Sequence, residues 1–149
     1  MQTPVLGLHF KVSLDGDPNL KQEIDVQEVT GLGASLELET LEEGGNTYFT
    51  YNLPKKTKNE KIILKRALCE KDQAKKIIKW AEDAIYNFDF KPLDLSVVLL
   101  NDQHEPVKSW NFFFVIPTKI DYAGMNAVSQ GLMIETLELN YLRSSPNNN

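Results

Sequence analysis

The residue types that do chemistry are sparse and scattered in this chain. There are two histidines, His9 and His104, and one cysteine, Cys69. His9 falls inside an alternating apolar segment and His104 inside a turn-like one. Neither has a second His or a Cys at metal-ligand spacing, so no metal site is expected and His9 reads as an ordinary surface or interface residue. Lys65, Arg66 and Lys71 would lower the pKa of a nearby thiol, but Cys69 reads more simply as a small residue at a strand end. Glu42-Glu43 and Glu135/Glu138 are paired carboxylates; without a pocket signal they read as loop charge and strand-face charge. Gly31-Leu32-Gly33 and Gly44-Gly45 do not open a helix after a strand with a third glycine, so a phosphate loop is not expected. No nucleophile, base or metal cluster emerges, so the chain is not read as an enzyme and no cofactor is expected.

Bulk properties narrow the classes further. The chain has 149 residues, enough for one domain that buries roughly 70% of its unfolded surface. Sixteen basic residues stand against 21 acidic ones, a net charge of −5, which gives no reason to expect nucleic-acid binding across the surface. Lys55, Lys56, Lys58 and Lys61 form a local basic run of the kind that is solvated or meets an acidic partner. A single cysteine excludes an intrachain disulfide. The opening MQTPVLGLHF lacks a basic region and a long apolar run, so no signal peptide is expected. No stretch approaches the ~20 apolar residues of a membrane span.

The elements that must position these residues are mainly strands. Leu6, Leu8, Phe10, Val12 and Leu14 alternate with polar or small residues, a half-buried strand closed by the turn cluster 15–19. Ile24, Val26 and Val29 mark a second strand, and Gly31 and Gly33 a bulge or bend. Leu36 and Leu38 alternate with Glu37 and Glu39 in a third. A fourth covers 48–53 and is closed by Pro54, and 55–61 is a polar turn. Ile62-Ile63-Leu64 is apolar on consecutive positions, as for a strand covered on both faces. The period then changes: Ala74, Ile77, Ile78, Ala81, Ala84, Ile85 and Phe88 follow helical spacing. They predict one amphipathic helix over about residues 72–88, with Asp72 as N-cap, roughly 24 Å long. After Pro92, strands over 93–100, 107–116 (ended by Pro117) and 132–142 complete a β-sandwich or partly closed barrel of seven or eight strands. Phe112 to Ile116 is again apolar on both faces; two such strands need cover either from the chain's own helix and loops or from another copy of the chain. Residues 1–143 are read as one β domain, and 144–149, rich in Ser and Asn, as a flexible tail.

In order, these segments resemble the tail tube family of contractile phage tails and contractile injection systems. His9-Phe10-Lys11-Val12 is similar to the family's opening strand. Gln27-Glu28-Val29-Thr30-Gly31-Leu32 is similar to its "EVSGL" segment. Glu43-Gly44-Gly45-Asn46, Leu53-Pro54 and Ile63-Leu64-Lys65-Arg66 resemble its central block, with Ala67 where the family often has Gly. Trp80 resembles the tryptophan of its helix, and Trp110-Asn111-Phe112 with Pro117-Thr118-Lys119 its late hairpin. Ile134-Glu135-Thr136-Leu137-Glu138-Leu139 resembles its closing strand.

The resemblance implies a β-barrel-like fold with a flanking helix, and homohexameric rings stacked into a hollow tube that delivers cargo. It implies a surrounding sheath, a baseplate and a tube-terminating protein as partners, no membrane anchor and no catalysis. It also implies synthesis in a bacterial cytoplasm and release within a phage tail or injection particle. Glu42, Glu43, Gly44, Gly45, Asn46, Lys55, Lys56 and Lys58 then become the expected ring-stacking loop, its acidic end meeting a neighbour's basic one. Glu37 and Glu39 become candidates to line the channel. A baseplate tube-initiator ring of the same fold, or a small β-barrel with an apolar ligand cavity, are the competing readings.

Overall fold

Ten strands and one helix make up the described part of the chain. A computed structural model describes residues 8–41, 51–58, 61–68, 74–125 and 132–147. Strands β1 (His9–Asp15) and β2 (Gln22–Val26) form the first antiparallel pair, with Val12 opposite Ile24. β3 (Glu28–Thr30) follows after a single residue. Among the described residues, β4 (Ser35–Leu41) and β5 (Tyr51–Lys58) pair only with each other. β6 (Ile62–Ala67) leads to the helix α1 (Lys75–Asn87), then come β7 (Leu93–Leu100), β8 (Pro106–Met125), β9 (Leu132–Asn140) and β10 (Arg143–Asn147).

The main sheet runs β2-β1-β7-β8-β9-β6-β3, with β10 against β8. Its two ends are consecutive in sequence. Only Gln27 separates β2 from β3, and its N–H donates to the Lys65 carbonyl at 3.1 Å. One bent strand therefore serves both ends of the path and gives the expected barrel-like architecture. β8 makes the opposite corner. It has 20 residues; its first half pairs with β7 and its second half with β9.

Alternating side chains from both halves fill one core. Val12, Leu14, Ile24, Val26, Ile62, Leu64, Val97, Phe112 and Leu139 are buried together with Ile77, Trp80 and Ala81 of the helix. The Trp80 indole also needs a hydrogen-bond acceptor when buried. It has one in the Lys91 carbonyl, 2.6 Å away, which fixes the chain after the helix.

Several boundaries differ from the sequence reading, each for a physical reason. The helix begins at Lys75, and its N-cap residue Ala74 makes no side-chain cap bond; Asp72 lies outside the described residues. Instead the Gln22 side chain, from β2, accepts from the N–H groups of Lys76 and Ile77 at 3.0 and 3.1 Å, satisfying donors that a local cap would otherwise hold. Phe88, expected on the buried helical face, is 82% exposed and ends the helix in left-handed geometry (φ 54°). The following Asp89 N–H closes onto the Asp83 carbonyl.

Neither Pro54 nor Pro117 ends its strand. β5 runs through Pro54, so 55–58 is strand and not turn. The register steps from Glu37 opposite Lys56 to Leu38 opposite Pro54, leaving Lys55 as an extra residue. β8 likewise passes Pro117, skipping Thr118, whose hydroxyl donates to the Glu138 carbonyl at 3.3 Å. A bulge removes the ladder position at which a proline's missing N–H would matter. The last strand divides into β9 and β10. Ser144 to Asn147, read from sequence as the start of a tail, pair with β8 residues from Phe112 back to Ser109.

Gly31 is the residue where glycine is required. Its φ is +90°, and an added Cβ would stand 1.9 Å from the Lys61 carbonyl oxygen, at the entry to β6. The backbone there cannot retreat without breaking the pairing of Thr30 with Ile63. Gly31→Ala is expected to destabilise the protein by about 2–3 kcal/mol, through strain and the clash together. Gly33→Ala, which meets nothing within 4 Å, is the matched control. Denaturant unfolding of the two variants checks the difference.

Candidate functional site

The hairpin β4–β5 carries leucines that do not pack on its own chain's core. Leu36 and Leu38 are 60% and 58% exposed, and Leu53 is also exposed. A two-stranded hairpin is marginally stable alone in water. Among the described residues, this one shares no sheet with the barrel. Its cross-strand register sets Glu37 opposite Lys56 and Ser35 opposite Lys58. Lys55, the bulged residue, is exposed, as is Glu39, while Glu37 is half-buried. The hairpin's tip, with Glu42, Glu43, Gly44, Gly45 and Asn46, lies outside the described residues, as does Cys69.

Two further exposed apolar features are set by backbone irregularities. Opposite Asp94 of β7, β8 carries two residues, Phe113 and Phe114, because Leu93 pairs with Val115 and Leu95 with Phe112. This bulge puts Phe114 at φ 60° and turns its ring outward, 61% exposed. Phe112 to Ile116 is therefore covered on one side and open at Phe114. At the helix C-terminus, Tyr86, Phe88 and Phe90 are exposed in succession, and the rings of Phe88 and Phe90 meet edge to face at 4.8 Å. A positive φ is costly for a bulky residue, so both Phe88 and Phe114 hold aromatic rings at the surface against local strain.

Glu135, taken from sequence as a strand-face charge, is 3% exposed. It faces Arg66 across the β6–β9 pair, and the Arg66 Nε donates to its Oε1 at 2.8 Å. Glu138 by contrast meets Lys61 at the surface, 3.8 Å away. Sequence alternation could have placed Glu135 inward, since Leu137 and Leu139 share its face; the acidic side chain hid that signal. Tyr122 also reaches Glu135. Its phenol is pushed up to about 12, first by partial burial, then by the Glu135 charge and the hydrogen bond donated to it.

Among the described residues no group of three His, Cys, Asp or Glu converges as a metal cluster. The cavity of about 310 Å³ beside the helix is lined by Leu20 and Trp80 together with charged Lys76, Lys79, Asp83, Asp89 and Lys91. It is a groove at the protein surface in which charged side chains surround the indole. Among the described residues no helix is long and apolar enough to cross a membrane.

Residues 7–144 match the family model described as T4-like virus tail tube protein gp19. No curated protein matches the chain. Among solved structures, it is similar to a chain of the anti-feeding prophage baseplate, at 21% identity and a TM-score of 0.81, covering 99% of this chain and 98% of that one. A chain from the extended sheath–tube complex of PVC, an extracellular contractile injection system, aligns at 20% identity and a TM-score of 0.75, covering 98% and 93%. Hcp1 from Salmonella typhimurium aligns at 14% identity and a TM-score of 0.58, covering 95% and 86%. These likenesses show the fold.

Removing one partner of a buried ion pair leaves the other charge uncompensated. Glu135→Ala is expected to cost about 3 kcal/mol or more, and the double variant Arg66→Met/Glu135→Leu to recover most of it; equilibrium unfolding checks both. The raised Tyr122 pKa has a defined sign. The neutral phenol is favoured by folding, so its contribution is complete below pH 10 and fades as pH rises through about 12. Near-ultraviolet absorbance titration is expected to show one tyrosine ionising late, and Tyr122→Phe to remove that step.

Proposed function

The chain belongs to the T4-like virus tail tube protein family, and on that premise we propose that it is the inner-tube subunit of a phage tail or contractile injection particle. Residues 1–143 form the tube-building domain. Six copies close a ring around a central channel, and rings stack into a tube through which cargo passes. The role is structural, without catalysis. A sheath surrounds the tube, a baseplate nucleates it and a terminator ends it; the similar chains from a sheath–tube complex and a baseplate support those partners.

The hairpin β4–β5 carries the proposal. It has outward leucines at Leu36, Leu38 and Leu53 and, among the described residues, no sheet partner beyond its own two strands. A neighbouring copy supplies the cover that such a hairpin requires. Because the contact joins two different patches, repeating it generates a ring or a stack rather than a closed dimer. In this reading Glu42, Glu43, Gly44, Gly45 and Asn46 at the hairpin tip and Lys55, Lys56 and Lys58 on β5 form the stacking surface, and Glu37 or Glu39 faces the channel. Among the described residues, the second edge of β8 beyond Ile116 pairs with no other strand, which leaves backbone groups for a neighbour's sheet. The likeness to a baseplate chain favours one alternative, a tube-initiator ring that does not stack on itself.

Leu38→Asp is expected to abolish ring formation, read by native mass spectrometry, while the monomer's stability changes by no more than about 0.5 kcal/mol. Lys55→Glu is expected to leave rings intact and cut tube yield by roughly tenfold, the effect of about 1.4 kcal/mol per stacking contact. Rings and tubes unchanged in both variants would remove the hairpin from the assembly. Wild-type rings that never stack would assign the initiator role.

A further inference from the structure

The only two histidines of the chain, 95 residues apart, meet at one end of the barrel. His9 opens β1 and lies opposite Leu100, the last residue of β7. His104 sits in the turn that follows. That turn is tightly closed. The Asn101 N–H donates to the Glu105 carbonyl, and the His104 N–H to the Asn101 carbonyl, each at 3.0 Å. The Asn101 side-chain oxygen accepts from the N–H groups of Gln103 and Glu105 at 3.0 and 2.9 Å. His104 itself is held at φ 60°. The result brings the His104 Nδ1 within 3.1 Å of the His9 Nε2, with the rings nearly perpendicular at 76°.

We propose that His9 and His104 form a two-nitrogen site for a first-row transition-metal ion of the Cu2+, Ni2+ or Zn2+ class. Imidazole nitrogens bind such ions at about 2.0–2.1 Å. Two nitrogens 3.1 Å apart then subtend about 100° at the ion, between the right angle of a tetragonal site and the tetrahedral angle. One ion can therefore sit beside the line joining the two nitrogens, each ring turning by about 40° to aim its lone pair at it. His104 is exposed and His9 half-buried, so the ion reaches the pair from solvent. Water completes the coordination, because no third His, Cys, Asp or Glu converges there among the described residues. Asp102 and Glu105 in the same turn add negative potential that favours a dication. Nitrogen donors select against Mg2+ and Ca2+, which take oxygen ligands. This site rests on the barrel fold and not on the tube reading.

The test uses the untagged full-length protein, dialysed to equilibrium against CuCl2, NiCl2, ZnCl2 and, as a control, MgCl2. The expected result is one ion per chain, Cu2+ held most tightly and Mg2+ not retained. Bound Cu2+ should show an electron paramagnetic resonance spectrum with coupling to two nitrogens. His9→Gln and His104→Gln should each lower affinity by roughly tenfold or more, since loss of a ligand costs at least as much as loss of its supporting bond. Both variants are surface changes, and circular dichroism checks that each folds; if one does not, the other decides. Failure of every transition ion to saturate at one per chain, or undiminished affinity in a folded variant, would overturn the site.

Discussion

The constraint that organises this fold is that one strand must serve two sheets, at both corners of the barrel. At one corner β2 becomes β3 through Gln27; at the other β8 leaves β7 for β9. Every ladder hydrogen bond lost at a corner has to be recovered nearby, because buried backbone groups tolerate little loss. The Gln27 N–H to Lys65, the hydroxyl of Thr118 and the glycine at position 31 are the local answers. With the corners held, the inward faces of both halves meet, and α1 packs Ile77, Trp80 and Ala81 into the same core. The helix is anchored at its start by Gln22 of β2 and after its end by the Trp80 bond to Lys91, so its position also depends on the barrel.

The same closure explains what is left outside. A barrel satisfied in its own core has no place for the leucines of β4–β5, which remain at the surface on a hairpin too small to be stable alone. Phe88 and Phe114 are held outward at positive φ, where glycine is the usual residue. The buried ion pair is Arg66 with Glu135, a pair whose net contribution is modest but whose half-removal is severe. Stability thus resides in the barrel, and the proposed association in the appendage. That division suits a subunit that folds first and assembles afterwards.

Much of the framework was legible in the sequence because it follows simple periods. The alternation around Val12 and Leu14, the helical spacing through Ile77 and Ala81, and the Gly31 bend all matched their elements. Most of the failures trace to long-range pairing. Pro54 and Pro117 signal strand ends locally, but bulges opposite Glu37 and Glu138 carry both strands past them. The helix start depends on Gln22, 54 residues before Lys76. Glu135 reads as surface charge until Arg66 is set beside it. His9 and His104 have no local spacing at all, and only the pairing of β1 with β7 brings them together. Motif order through the central block and closing strand identified the family where periodicity alone left a sandwich, a barrel or a ligand-binding module open.

The most direct test of the assembly is electron microscopy of the purified protein across a concentration series, with hydrogen exchange followed on the same samples. The expected result is six-fold rings stacked into tubes with an axial channel, accompanied by protection of the β4–β5 amides that is absent at low concentration. A chain that remains monomeric at every concentration, with those amides exchanging freely throughout, would contradict it.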